Sequence, residues 1–327
     1  MKGLLAGVAF VSTLLAQPQN NAPALTDGKL HVILCGTGSP LPDPDRAGSC
    51  TAIVAAGQVI LIDVGPGSWR KAMLSGVPGP MLSAVLLTHY HSDHIGDLGE
   101  ALTMSWANGR NQPLDVYGPP GVDQIVDGVN REYRLDEDYR VTHHTDAVVP
   151  RKAHDAVPHA VNVADDHSAT LVFEKNGLKI FAFQVDHRPI VPAYGYRVEY
   201  AGRAVVISGD TSYSENVVRN AKDADLLIHD AMVKDLVSRA AALLDVQGQA
   251  RTAKMMRDIL TYHASTLDAA KTAAQAHVGT LVLSHLVPVP ANIGGTAPFL
   301  QGVAAIFSGK VEVAKDGMRF DFDPKHP

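Results

Sequence analysis

Within six positions, His89-Tyr90-His91-Ser92-Asp93-His94, the chain places four side chains able to ligate a metal. The cluster follows an apolar run, Ala84–Leu87, that reads as a buried strand, and precedes Asp97–Ala107, where apolar residues recur with a helical period. His89 and His91 are two apart, so in an extended chain both imidazoles point the same way. Asp93 and His94, at the turn into the helix, are placed to address a second, neighbouring point. Imidazole and carboxylate together suit zinc and similar first-row metals. The fold of this chain must therefore carry the end of a buried strand into a metal-binding loop.

The length of 327 residues allows one or two domains. With 46% hydrophobic and 19% charged residues, the chain can bury a real core and is not a disordered one. A net charge of −6 argues against a protein whose main partner is a nucleic-acid backbone. Two cysteines are too few for a disulfide scaffold or a Cys-rich zinc module. Cys35 and Cys50 either pair across an N-terminal hairpin or stay as two buried free thiols. At the N-terminus, Lys2 precedes an apolar run from Leu4 to Ala16 and then a polar, proline-containing stretch. That is the layout of a signal peptide, and the run is shorter than the roughly 20 residues that span a bilayer. We therefore expect a leader over residues 1–24, cleaved after Ala16 or Ala24, a single catalytic domain over 25–327, and a periplasmic or secreted location.

Apolar runs bounded by turn residues predict strands throughout, including hairpins turning at Gly57 and at Ala201-Gly202, and a closing hairpin, Val311–Phe322, around Asp316-Gly317. Helical periods appear at Ser68–Leu74, Val122–Tyr133 and Leu267–Ala276, and as two helices within Val233–Tyr262 broken near Gly248. The stretch Asp136–Asp166 carries no assignable pattern, and the histidines at 143, 144, 154, 159 and 167 are expected as solvated loop residues. Two sheets packed face to face, with helices outside, is the natural layer solution.

The H-x-H-x-D-H spacing resembles the signature of the metallo-β-lactamase superfamily. Other ligand-type residues stand just past predicted strands in that superfamily's order: Asp63 upstream, then His187, Asp210 in Ser208-Gly209-Asp210-Thr211, and His285. The resemblance implies an α/β fold, the αββα sandwich, with a binuclear metal site. His89, His91 and His187 would hold one metal, Asp93, His94 and His285 the other, and Asp210 would bridge both. A bridging carboxylate sets two cations roughly 3.5–4 Å apart, with a shared hydroxide whose pKa falls toward about 7. Two zinc ions are the expected cofactors, with manganese or iron as alternatives. Asp63 would orient the loop or a ligand histidine.

Further segments resemble the branch that holds ribonuclease Z and related arylsulfatase and phosphodiesterase enzymes. These are Gly36-Thr37-Gly38-Ser39-Pro40 with Arg46 beyond it, Pro113–Gly121, Pro192–Tyr196, Ile228-His229-Asp230-Ala231 and Tyr262-His263-Ala264-Ser265-Thr266. The resemblance implies that His263 is catalytic, protonating the leaving oxygen or donating to the charge that builds on the transferred group. Asp230 would accept a hydrogen bond from it, although ribonuclease Z has the longer glutamate there. His229 is read as a structural strand-end residue.

Three features argue against tRNA as a partner. Ribonuclease Z enzymes usually carry a long arm where this chain has only the turn Tyr200–Arg203, and the leader and the acidic balance point the same way. The expected function is exported hydrolysis of a phosphodiester or sulfate ester, with a small anionic ester as substrate. The alternatives are a ribonuclease Z-type tRNA 3′ endonuclease, a β-lactamase or lactonase, and a metal-free binding module. Asp210 weighs against the β-lactamase reading, because true β-lactamases generally lack it. Relatives often dimerise, so a homodimer is an open alternative. Leu236, Ala240, Leu243 and Leu244 either wall an apolar leaving-group pocket or form ordinary helix-face core.

Overall fold

A computed structural model describes residues 26–164 and 168–325. The leader expected over residues 1–24, with its cleavage after Ala16 or Ala24, lies outside the described residues, as does His167. The first half of the chain supplies β1 (Leu30–Gly36), β2 (Cys50–Ala55), β3 (Gln58–Ile62), β4 (Leu82–Leu86), β5 (Leu114–Gly118) and β6 (Ala156–Ala160). The second half supplies β7 (Thr170–Lys175), β8 (Leu178–Gln184), β9 (Tyr194–Tyr200), β10 (Arg203–Ile207), β11 (Leu226–Met232), β12 (Thr280–Val287), β13 (Lys310–Val313) and β14 (Arg319–Phe322). They form two seven-stranded sheets, ordered β14-β1-β2-β3-β4-β5-β6 and β13-β12-β11-β10-β9-β8-β7.

Strand alternation explains the layers. Along β1, Leu30, Val32 and Leu34 face the space between the sheets, where they meet Ile53, Ile60, Ile180, Val205 and Ile228. Ile33 and Cys35 face the other way, against Trp69, Leu98, Leu102 and Val122 of the outer helices. On the far side, Leu227, Leu281 and Leu283 pack on Ala269, Ala273 and Ala276 of the helix Thr266–Ala276. Alanines on that face let the helix lie close to the sheet. Burial on both faces is why these strands read as continuous apolar runs. The result is the αββα sandwich.

β3 to β6 run parallel to one another, and so do β10 to β13. Each sheet therefore sends several C-terminal strand ends to the same edge. Asp63, the 89–94 cluster, Asp210, Asp230 and His285 all lie at those ends.

Several expectations are corrected. Val311–Phe322 is no hairpin: β13 pairs with β12 in one sheet and β14 with β1 in the other. The crossing between them is held by Asp316, whose carboxylate accepts from Thr37 N at 3.0 Å, Thr37 Oγ1 at 2.8 Å and Ala47 N at 2.7 Å. The stretch without a pattern forms the helix Arg134–His144 and the strand β6. His143 and His144 are exposed as expected, but His154 is fully buried and His159 stacks on Tyr117. His154 sits 3.6 Å from Glu137 and 3.1 Å from Asp155, acids that Arg134 and Arg151 also reach, so His154 and Glu137 form the buried end of a polar cluster whose Asp155, Arg134 and Arg151 side chains reach solvent. On the helix Lys234–Val246 the buried residues are Val237 and Ala241; Ala240 and Leu243 are exposed, so the apolar face is rotated one position from the expected one. Cys35 and Cys50 are buried free thiols, and burial pushes the Cys50 thiol well up.

Candidate metal centre

Asp63 leaves β3 with a left-handed backbone, φ 57°. Its carboxylate accepts from Thr88 N and Thr88 Oγ1, both at 2.8 Å, and from His94 Nδ1 at 2.7 Å. Because the Thr88 hydroxyl donates to Asp63, its oxygen is left to accept from His89 Nδ1 at 3.1 Å. His187 Nδ1 donates to the Tyr262 carbonyl at 3.1 Å. Three buried histidines thus have their Nδ1 protons committed, which fixes the lone pair on Nε2 in each.

Those lone pairs converge. His89 Nε2 faces His91 Nδ1 at 2.9 Å, and the Nε2 atoms of His94 and His187 are buried without a hydrogen-bond partner. His94 Nε2 and His285 Nε2 stand 3.3 and 3.4 Å from Asp210 Oδ2, and His285 Nε2 is 3.1 Å from Asp93 Oδ2. His285 reaches this point because it occupies the register shift between β11 and β12 with a left-handed backbone, φ 50°. Single ligand atoms of His89, His91, His187 and Asp210 lie within 4.8 Å of one another, and so do those of Asp93, His94 and His285. Ligand atoms of Asp210, His263 and His285 form a third such group.

All of these donors but the exposed His91 are buried, and imidazole lone pairs and carboxylates buried together repel unless a cation lies between them, so this donor set fits two metal ions. The electrostatics agree. Burial, then His94, hold His89 well below its ordinary range, leaving it neutral. Burial pulls His94 the same way, but Asp210 and Asp63 outweigh it and hold its proton affinity well above the usual value. Asp210 is buried, yet His285 and His94 draw its carboxyl well below the ordinary carboxylate range. A position that binds a proton this strongly is one at which a metal cation is attracted in its place.

His263 lies beside this cluster. Its Nδ1 donates to Asp230 Oδ2 at 3.0 Å, and its ring stacks 5.3 Å from that of His285. Aspartate, although shorter than glutamate, closes the contact. His229 donates from Nδ1 to the Asp230 carbonyl and is fully buried. Thr88 and the Tyr262 carbonyl are positioning groups that the sequence reading missed. Thr88 sits directly before the histidine cluster and could have been suspected; a backbone carbonyl leaves no trace in a sequence.

A profile of the beta-lactamase superfamily domain matches residues 58–286. Ribonuclease Z of Mycolicibacterium paratuberculosis is 39% identical over 298 residues, 90% of this chain and 99% of that protein. The chain belongs to the beta-lactamase superfamily and, within it, to the ribonuclease Z family. Ribonuclease Z of Mycobacterium bovis is 37% identical, again over 90% of this chain and 99% of its own length. Human tRNase Z, short form, superposes with a TM-score of 0.62 at 25% identity, covering 89% of this chain and 98% of that one. The metallo-β-lactamase fold protein YhfI of Bacillus subtilis gives a TM-score of 0.61 at 21% identity, over 90% and 99% of the two chains, a likeness of fold.

These relatives overturn two expectations, the exported phosphodiester or sulfate ester hydrolase and tRNA as an unlikely partner, and favour the ribonuclease Z alternative instead. The physical error lies in the weight given to whole-chain charge and to one short turn. Net charge sums over all faces, whereas an RNA meets only one. Among the described residues, no helix is long and apolar enough to cross a membrane.

Proposed function

We propose that this chain is a metal-dependent ribonuclease Z, cutting the 3′ trailer from precursor tRNA. The observation that carries the reading is near full-length identity of 37–39% to proteins named ribonuclease Z, on a chain whose largely buried donor set is suited to two cations. His89, His91, His187 and Asp210 would hold one ion; Asp93, His94 and His285, with Asp210 shared, would hold the other. Zinc suits this mixture of imidazole and carboxylate, with manganese and iron as the competing occupants. Bound there, the ions would polarise the scissile phosphate and supply a nucleophile at neutral pH.

The protein's own groups do the rest. Asp63 and Thr88 hold His94 and His89 in the tautomers that leave Nε2 free. His263, fixed through Nδ1 by Asp230, keeps Nε2 for the reacting group and gives a proton to the leaving 3′ oxygen. Burial of His263 and Asp230 limits water at that proton transfer. A catalytic domain that begins near residue 25 belongs to the same proposal, and limited proteolysis read by mass spectrometry checks it.

The test is incubation of a 3′-extended precursor tRNA with zinc-loaded protein, with chelated protein, and with protein restored by zinc. Cleavage at the trailer junction should vanish on chelation and return with the metal. Cleavage that survives complete metal removal would contradict the proposal.

A further inference from the structure

The helices Lys234–Val246 and Ala250–Ile259 form a hairpin that starts four residues after Asp230 and ends four before His263. Its root packs Val237, Met256, Ile259 and Leu260 against Met232, Val287 and Leu41. The hairpin therefore stands on the same strand-end rim as the candidate metal centre. It carries five basic and three acidic residues, a net +2 within a chain of −6. Lys254 pairs with Asp258 at 2.6 Å and Arg257 with Asp245. Arg239 and Arg251 are exposed and, among the described residues, have no carboxylate partner; Asp235 is the one acid of the hairpin left unpaired. No acid occurs from Val246 to Arg257, across the turn at Gly248.

The turn leaving the hairpin ends on Tyr262. Its half-buried ring stands perpendicular to that of His187, centroids 5.2 Å apart, and 4.9 Å from that of His263. One segment thus carries two exposed guanidinium groups on its helices and, where it rejoins the strand ends, a half-buried aromatic ring against His187 and His263. Guanidinium groups bind phosphate in bidentate fashion, and aromatic rings stack bases without regard to sequence.

We propose that the segment Lys234–Tyr262 is the RNA-docking element: Arg239 and Arg251 take backbone phosphates of precursor tRNA, and Tyr262 stacks the nucleotide beside the scissile bond. The inference rests on the ribonuclease Z reading for the identity of the RNA. The hairpin's own surplus of basic residues is the charge that a polyanion would meet on this face.

The test measures binding of a 3′-extended precursor tRNA to the full-length zinc-loaded protein over a salt series, for wild type, R239E/R251E and the milder R239Q/R251Q. Both double variants should bind more weakly, the charge reversal by about ten-fold or more, and the log–log salt slope should become shallower by about 1 to 2. Hydrolysis of an aryl phosphodiester by the same variants should match wild type. Tyr262→Leu should raise KM for the precursor and Tyr262→Phe should restore it. Unchanged affinity and slope in the double variants would overturn the proposal. So would a change confined to self-association, which would assign the exposed Leu243, Val246 and Met255 to a second copy of the chain. Wild-type protein that binds the precursor through these arginines without cutting it would refute the ribonuclease Z reading and leave the docking surface standing. Cutting by wild type and both double variants alike would refute the docking surface alone.

Discussion

His263 Nδ1 lies 3.0 Å from Asp230 Oδ2 and 4.0 Å from Asp210 Oδ2, so one buried carboxylate fixes the ring while a second lies just out of hydrogen-bond reach. Asp230 is the orienting partner in this contact, and Asp210 is one of the proposed metal donors. His263→Ala should lower turnover by about 10²–10⁴-fold while leaving metal content unchanged, read by elemental analysis beside a cleavage assay. Loss of metal in that variant would make His263 a ligand, as its grouping with Asp210 and His285 allows.

Asp63 stands at one remove from the proposed metal donors. Its carboxylate orients His94 directly and His89 through the Thr88 hydroxyl. Asp63→Ala should weaken metal affinity by about 10–100-fold, with cleavage recovered at high zinc. A competition titration with a chromogenic chelator reads this directly.

Gly65 links the fold to the centre. A Cβ on it would meet the Asp93 carbonyl at 2.0 Å and Gly48 at 2.6 Å, all backbone that cannot swing aside. Gly65→Ala should therefore displace the segment bearing Asp93 and His94, lowering both Tm and metal occupancy. A calorimetric scan with and without zinc separates the two effects.

Most of the metal-donor pattern was legible because it is local: four donors in six residues at a strand end leave little freedom. Asp63, Asp210 and His285 were readable as polar residues ending apolar runs. The left-handed turn that aims His285 and the carbonyl of Tyr262 are properties of backbone, which side-chain patterns do not record. The split of β13 and β14 between sheets was hidden because Asp316-Gly317 looks like a tight turn while the tertiary bonds of Asp316 to Thr37 and Ala47 hold a crossing. Position 243 shows the limit of periodicity on a two-helix projection, where the buried face is set by what it packs against.

Asp225 gives a pH test away from the candidate metal centre. Burial raises its carboxyl, but the Ala204 amide, Lys325 and Arg203 outweigh this and hold it below the ordinary 3.8. A depressed folded-state value means that the stabilisation is complete above 3.8 and disappears as pH falls through the folded value. Asp225→Asn should be less stable than wild type at pH 7, and the gap should close in acid below 3.8. Denaturant unfolding at pH 7, 5 and 3 checks the sign.

The central claim is tested most directly by kcat/KM for a 3′-extended precursor tRNA beside that for an aryl phosphodiester, both with the zinc-loaded protein and with Asp210→Ala. Wild type should cut the precursor at one junction, with a far higher kcat/KM than for the small ester, and Asp210→Ala should lose both activities. Rapid turnover of the small ester with the precursor left intact, or full activity in Asp210→Ala, would contradict the claim.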